Sequence, residues 1–337
     1  MNVLFRCDGS VEIGMGHVVR CMALAEYLKD NHDLNIHFAM RQSELGISKV
    51  KESYPVLESN EAIFDYEDWL SDCIHQTNAE ILIMDMRDGL TREKLKRVKK
   101  RTGIKVVTID DLEDKRLQAD FAFYPPIPQL ENVHWKGFNG KLYVGWEYVI
   151  LRKEFYQSYS EPNNPTPNIL VSMGGADEKD MTKYVISALD LIETQFTATI
   201  ILGPGYQFQN DLVCRLDKIG FPYKIYSAPN DIADVMSRSD LAVISYGQTA
   251  YELAALQIPA IYLCLSEDHF ISSQLFQKTG IGFSLGEFEG INDKKIVGAI
   301  QAYLNEIKDT KKNKKQNIIP FLPGKTHQIA EIIAMIK

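Results

Sequence analysis

The sequence offers no basis for a disulfide framework. Its five cysteines (Cys7, Cys21, Cys73, Cys214 and Cys264) are odd in number, widely spaced and never arranged as C-x-x-C. That pattern excludes a thiolate zinc site as well and fits reduced thiols in a cytoplasm. No uninterrupted apolar run approaches the roughly 18 to 20 residues that cross a bilayer. Met1-Asn2-Val3 leads straight into an apolar strand, so neither a transmembrane segment nor a signal peptide is expected. A basic stripe is also missing. The formal net charge is −8, and the one dense cationic run, Lys311-Lys312-Asn313-Lys314-Lys315, reads as the solvated end of a helix, so no nucleic-acid partner is expected. Neither H-E-x-x-H nor a Walker A loop occurs, and the histidines have no metal-ligand spacing, so no metal is expected. The dinucleotide fingerprint G-x-G-x-x-G fails because Val19 holds the place of the third glycine after Gly14 and Gly16. No cofactor is implied.

What the chain does have is a repeated alternation of strand-type and helix-type segments. At 337 residues, 45% of them hydrophobic, it is long enough for two domains with separate cores. Apolar runs at 2–5, 35–40, 80–84, 105–109 and 121–124 read as strands, with helical periodicity at 21–28, 64–76 and 92–101 between them. The stretch Glu161-Pro162-Asn163-Asn164-Pro165-Thr166-Pro167 cannot continue a helix or a central strand. It is the expected linker between a first domain, 1–160, and a second, 168–337. The alternation restarts with strands at 168–172, 198–202, 223–226, 241–245 and 260–265, and helices at 181–192, 208–216, 232–237 and 250–256. Helical periodicity then runs to the end. The expected architecture is α/β: two Rossmann-like, doubly wound domains whose parallel sheets face a cleft, with ligands at the carboxyl ends of the strands.

Three loops carry candidate chemistry. The first is Arg6-Cys7-Asp8-Gly9-Ser10-Val11-Glu12-Ile13-Gly14-Met15-Gly16-His17-Val18-Val19-Arg20, between a strand and a helix. Glycines let backbone approach a ligand, a helix start offers unpaired N–H groups to an anion, and an imidazole there can move a proton near neutral pH. Cys7 reads as a small buried filler. The second loop, Ser172-Met173-Gly174-Gly175-Ala176-Asp177, repeats the strand–glycine–helix logic and could cradle a diphosphate. In the third, Ser245-Tyr246-Gly247-Gln248-Thr249, Gly247 permits a sharp turn and Thr249 or Gln248 could donate to phosphate. Glu252 is expected in the first turn of the following helix, where it could accept two hydrogen bonds from a ribose diol. Its plainer role there is to favour the helix dipole. Asp85, Asp110 and Asp111 stand at strand ends, where helix capping is the plain reading. His269, after a strand of the second domain, could line the cleft. His32, His37, His75, His134 and His327 carry no such expectation.

The pattern R-x-D-x-x-x-x-I-G-x-G-H-x-x-R at Arg6–Arg20 resembles the opening motif of the PseG/SpsG family, of UDP-sugar hydrolases and spore coat polysaccharide proteins. Tyr148-x-x-x-Arg152-x-Glu154-Phe155 and Met173–Asp177 are also similar to segments of that family. Residues 245–260 are similar to the nucleotide-binding segment of MurG-like glycosyltransferases. The resemblance implies a GT-B fold with UDP held mainly by the second domain, and a metal-independent hydrolysis. In it the counterpart of His17 activates water at the anomeric carbon, while that of Asp8 positions the base or the sugar. It further implies substrate contacts from Arg6, Gly14, Gly16, Arg20, Asp85, Tyr148, Arg152, Gly174, Gly175, Gly247, Thr249, Glu252, Asp268 and His269. Where the family's hydrolases read I-D-H-Y, this chain reads Met84-Asp85-Met86-Arg87, keeping only the aspartate, and Asp268-His269 stand where they tend to place asparagine and glutamine. Transfer of the sugar to an acceptor hydroxyl, or nucleotide-sugar binding without turnover, are the alternatives.

Overall fold

Continuous apolar strands of four or five residues are the signature of sheets covered on both faces, and the protein contains two of them. The structure, a computed structural model, describes residues 1–10, 12–41, 44–59, 65–160, 164–310 and 324–336, without the side chains of 306–310. The Lys311–Lys315 run, residue 64 of the expected third helix and the first three residues of the expected linker lie outside the described residues.

The first unit begins with β1 (Asn2–Arg6), α1 (Gly16–His32), β2 (Asn35–Arg41), α2 (Glu44–Lys51), β3 (Val56–Ser59) and α3 (Tyr66–Thr77). It continues with β4 (Ile81–Met84), α4 (Arg92–Thr102), β5 (Lys105–Ile109), β6 (Phe121–Tyr124) and β7 (Lys141–Val144). Every neighbouring pair is parallel, in the order β3-β2-β1-β4-β5-β6-β7. Local signals set the helix limits. The Asp65 carboxylate accepts the Glu67 and Asp68 N–H groups at the start of α3, and Thr91 caps α4 through the Lys94 N–H. Leu4, Leu82, Val106 and Ala122 from the strands pack with Leu70, Ile74, Leu95 and Val98 from α3 and α4.

The second unit comprises β8 (Asn168–Ser172), α5 (Met181–Leu189), β9 (Thr197–Leu202), α6 (Gln209–Leu216), β10 (Tyr223–Ser227) and α7 (Ile232–Ser237). It then adds β11 (Leu241–Ser245), α8 (Gln248–Ala255), β12 (Ala260–Cys264), α9 (Glu267–Lys278), β13 (Gly282–Glu287) and α10 (Asp293–Thr310). Its parallel order is β10-β9-β8-β11-β12-β13. Ile169, Val171, Ile200, Val243 and Ile261 form its centre with Val185, Leu189, Ile300 and Leu304. Edge strand β13 interrupts the expected run of helices after 265, because Gly282-Phe283-Ser284-Leu285-Gly286-Glu287 is glycine-rich and carries no continuous apolar run.

The chain changes unit at Arg152/Lys153, ahead of the proline-rich stretch, and returns to the first unit at Gly324. The stretch is a border of the second unit: Asn164 Nδ2 donates to the Arg238 carbonyl (2.9 Å) and to Asp240 Oδ2 (2.8 Å). The final helix, α11 (Thr326–Ala334), packs against α1 of the first unit, burying Ile329, Ala330 and Ile333 completely. Thr326 Oγ1 accepts from Leu151 N (2.9 Å) and donates to Leu151 O (3.0 Å), and Lys325 N donates to Glu147 O at 2.8 Å. Gly324 lies so close to Val149 that a Cβ would overlap its carbonyl. Gly324→Ala is therefore expected to destabilise the first unit by about 1–3 kcal/mol, read as a lower urea midpoint. An unchanged midpoint would mean that α11 contributes nothing to this unit.

In each unit the strand order reverses at one place, between β1 and β4 in the first and between β8 and β11 in the second. The crevice outside the carboxyl ends of strands at such a switch point is where open α/β sheets bind ligands. The three glycine-bearing loops of the sequence all begin there.

Candidate active site

The first loop leaves β1 at Arg6 and enters α1 at Gly16, with Gly14 in the left-handed region (φ 75°) and Met15 at the cap position without a side-chain cap. His17 is the second residue of α1, and its side chain is 28% exposed. Its Nδ1 lies 2.7 Å from Asp85 Oδ1, at the carboxyl end of the neighbouring β4. Arg20, one turn further along α1, holds the same carboxylate with two hydrogen bonds, Nε to Oδ2 at 2.5 Å and Nη2 to Oδ1 at 2.6 Å. Its Nη1 reaches Asp110 Oδ2, at the end of β5, at 3.2 Å. Asp85 is fully buried. Burial works to raise its carboxyl, but the Arg20 guanidinium and the His17 ring outweigh that and hold it below the ordinary carboxylate range. An ionised carboxylate only accepts, so Nδ1 of His17 carries the proton and Nε2 is left as a basic lone pair.

Asp85 is thus the carboxylate on His17, which corrects two expectations. Asp85 does not cap a helix, since Thr91 caps α4. Asp8 does not orient the histidine: its Oδ2 accepts from Arg6 Nη2 at 2.8 Å and its Oδ1 from the Arg41 N–H at 2.7 Å. The reason is geometric. Asp8 follows β1 on the side of β2, whereas His17 has entered a helix facing β4. Arg6 is not placed as a substrate contact either. It is fully buried, donates through Nε to the Tyr66 hydroxyl (2.8 Å) and lies 3.6 Å from Asp88. Tyr66 in turn donates to Asp88. A second buried cation, Lys115, pairs with Glu113, Asp88 (3.4 Å) and Asp111 (3.6 Å). Burial pushes the Asp111 carboxyl up to about 6, despite Lys115 and the Glu113 N–H that it accepts. Sequence reading passed over Tyr66 and Lys115 because nothing local marks a tyrosine or lysine as buried.

Tyr148 stacks obliquely against Phe123 and Tyr143 (ring centroids 5.9 and 5.3 Å), and Arg152 is half-buried at the end of the first unit's main segment. The described contacts do not bring these two residues to His17.

In the second unit, Gly174 (φ 82°) and Gly175 turn the chain after β8, and a Cβ on Gly174 would meet Ser245 Oγ, at the end of β11, at 3.4 Å. Gly203 follows β9 and packs directly on the carbonyls of Gly174 and Gly175, a closeness that a side chain would prevent. Asp177 is a capping residue, accepting the Met181 and Thr182 N–H groups of α5 at 2.7 and 2.9 Å. Gly247 precedes α8 without a side-chain cap, and Thr249 is half-buried in the first turn. Glu252 falls beyond that turn and is 4% exposed, so the expected helix-dipole role fails because the helix begins at Gln248. Asp268 is exposed in the first turn of α9, and the neighbouring His269 ring stands 5.7 Å from Tyr246, which follows β11. The second unit therefore gathers Gly174, Gly175, Gly247 and Thr249 at its switch point, with Asp268 and His269 in the first turn of α9, after the adjoining strand β12. Among the described residues no cluster of histidine, cysteine and carboxylate side chains has metal-binding geometry, and no helix is long and apolar enough to cross a membrane.

No family model matches the chain. A search of curated proteins finds an uncharacterized protein of Methanocaldococcus jannaschii, 29% identical over 79% of this chain and 56% of the relative. The chain thus spans little more than half the length of that protein. It also finds the spore coat polysaccharide biosynthesis protein SpsG of Bacillus subtilis, 27% identical over 88% of this chain and 87% of the relative. A third is the UDP-2,4-diacetamido-2,4,6-trideoxy-beta-L-altropyranose hydrolase of Campylobacter jejuni, 27% identical over 83% and 97% respectively. Among solved structures, Acinetobacter baumannii MurG covers 99% of both chains with a TM-score of 0.67 at 13% identity. The two parallel α/β units and this likeness define the GT-B fold class. Within that class, relatives named SpsG and UDP-2,4-diacetamido-2,4,6-trideoxy-beta-L-altropyranose hydrolase, 27% identical over most of the chain, match the PseG/SpsG resemblance carried by the Arg6–Arg20 motif.

Proposed function

We propose that the protein is a UDP-sugar hydrolase that releases UDP from a UDP-linked 2,4-diacetamido-trideoxy sugar, in the synthesis of a nonulosonic acid or a surface polysaccharide. The observation that carries the reading is the His17–Asp85 pair at the switch point of the first sheet, with Nε2 of His17 left basic. Nε2 accepts a proton from water as the water oxygen bonds to the anomeric carbon. The bond from that carbon to the diphosphate breaks, and UDP leaves with the electron pair. Diphosphate is a good leaving group, so one positioned base and donors for the departing charge suffice. Gly174, Gly175 and Thr249 supply those donors to the diphosphate, and Glu252 accepts from the ribose diol. The names of the Campylobacter and Bacillus relatives support this substrate class.

The test is UDP release in water alone from a panel of UDP-linked 2-acetamido and 2,4-diacetamido sugars. Release that requires His17 supports hydrolysis. The GT-B neighbours favour a second reading, transfer of the sugar to an acceptor hydroxyl. That reading predicts release only when an acceptor is added, and UDP binding without release under either condition would instead mean a non-catalytic binder. For the nucleotide subsite, Thr249→Val and Glu252→Gln are each expected to weaken UDP binding about 10- to 100-fold, the loss of one hydrogen bond to a charged partner. Calorimetric titration with UDP checks this, and unchanged affinity would remove both residues from the subsite.

A further inference from the structure

The His17–Asp85 pair does not stand alone. Arg20 grips Asp85 through two nitrogens and is gripped in turn by Asp110, so four side chains from α1 and the ends of β4 and β5 form one chain. We propose that Asp110 is a positioning and charge-balancing residue for His17, acting through Arg20 and Asp85. The inference rests on the hydrolytic role given to His17.

The backbone at Asp110 is committed to this arrangement. It lies in the left-handed region (φ 50°), uncommon for a residue with a Cβ, while its N–H donates to the Phe123 carbonyl of β6 at 2.9 Å. That conformation turns Oδ2 to Arg20. Oδ1 is buried with no hydrogen-bond partner among the described residues, so the Arg20 guanidinium is the main compensation for this carboxylate.

The charge count gives the arrangement its consequence. With Asp85 and Arg20 alone, the ion pair cancels, and a proton taken up by His17 leaves a net positive cluster in a largely buried place. With Asp110 present, the resting cluster carries one net negative charge and becomes neutral when His17 is protonated. The other titratable groups facing it do not alter this. Cys21 of α1 lies 3.6 Å from Asp85 Oδ2, next to Cys7 after β1, and burial pushes its thiol up, so it stays neutral. Asp111, Asp88 and Glu113 share Lys115, and Asp88 also meets Arg6, so their cations lie outside the cluster.

The experiment uses the full chain, with 15N-labelled histidine and with the sugar that releases UDP. Asparagine tolerates the left-handed region and keeps the shape of the side chain, so Asp110→Asn is expected to fold. The expected result is kcat about tenfold lower with KM little changed, the acid limb of the pH–rate profile displaced about one unit to lower pH, and Asp110→Glu restoring part of both. The ring-nitrogen signals lost in His17→Gln should titrate at correspondingly lower pH in Asp110→Asn. A profile and a ring titration that both match wild type would overturn the role of Asp110 while leaving hydrolysis standing. If no sugar releases UDP, the hydrolytic reading fails separately, and the ring titration alone decides whether Asp110 balances the charge on His17.

Discussion

His17→Ala and Asp85→Asn are each expected to slow UDP release by about 10²- to 10⁴-fold, with the affinity for UDP within about twofold of wild type. The two variants fail for different reasons. Alanine removes the base. Asparagine keeps the size of Asp85 but loses its charge, and its side chain can turn an N–H toward Nδ1, which favours the tautomer with the proton on Nε2 and blocks the lone pair needed by water. Arg20 would then lie beside a neutral group, with Asp110 as its remaining carboxylate. Steady-state rates beside a UDP titration separate these effects from damage to the nucleotide subsite. A rate within threefold of wild type in Asp85→Asn would remove Asp85 from the mechanism. Asp8→Asn serves as the contrast. Its carboxylate serves Arg6 and the Arg41 N–H, so its loss is expected to appear in stability before chemistry.

Arg6→Met is expected to cost the first unit about 3–5 kcal/mol, lowering its unfolding midpoint by roughly 10 °C. Arg6 is the buried hub of a charged network. Its guanidinium neutralises Asp8 and Asp88, donates to Tyr66 and packs over the Tyr66 and Trp69 rings, 5.4 Å from each centroid. Methionine fills most of the volume but leaves Asp8 without the cation that pairs with it and Asp88 with Lys115 alone, and the cost of an uncompensated buried charge exceeds that of the lost contacts. Thermal unfolding followed by circular dichroism measures the effect. A loss under about 1 kcal/mol would mean that water reaches the network and screens it.

The parts of this molecule that were legible in the sequence are those encoded by neighbours in the chain. Lys105–Ile109, Phe121–Tyr124, Asn168–Ser172 and Leu241–Ser245 appear as strands at their expected limits, since each is a short apolar run bounded by breakers. β3, β7 and β13 were not legible. They are edge strands, half solvated, and they lack the continuous apolar run that sets the central strands apart from loops. The His17 loop could be read because its glycines, helix start and imidazole are contiguous. Its partner could not, because Asp8 is nine residues from His17 in sequence while Asp85 is 68 away and arrives only through the parallel pairing of β1 with β4. The same limit applies to the boundary of the units. Proline composition marks where regular structure stops, whereas the crossing at Arg152 depends on what Leu151 and Val149 touch, and they touch residues made much later.

That late contact has a bearing on biosynthesis. One side of α1 is covered by Thr326–Ala334, so the first unit to leave the ribosome is the last to acquire its full set of buried side chains. The second unit, contiguous from Lys153 to Pro323, has all its strands in hand earlier. Domains generally fold as units during synthesis, amino-terminal ones first. Here the order of completion is inverted, and nascent α1 must wait with one face not yet fully enclosed. A truncation that removes α11 would therefore be felt at the opposite end of the polypeptide, in the helix that carries His17.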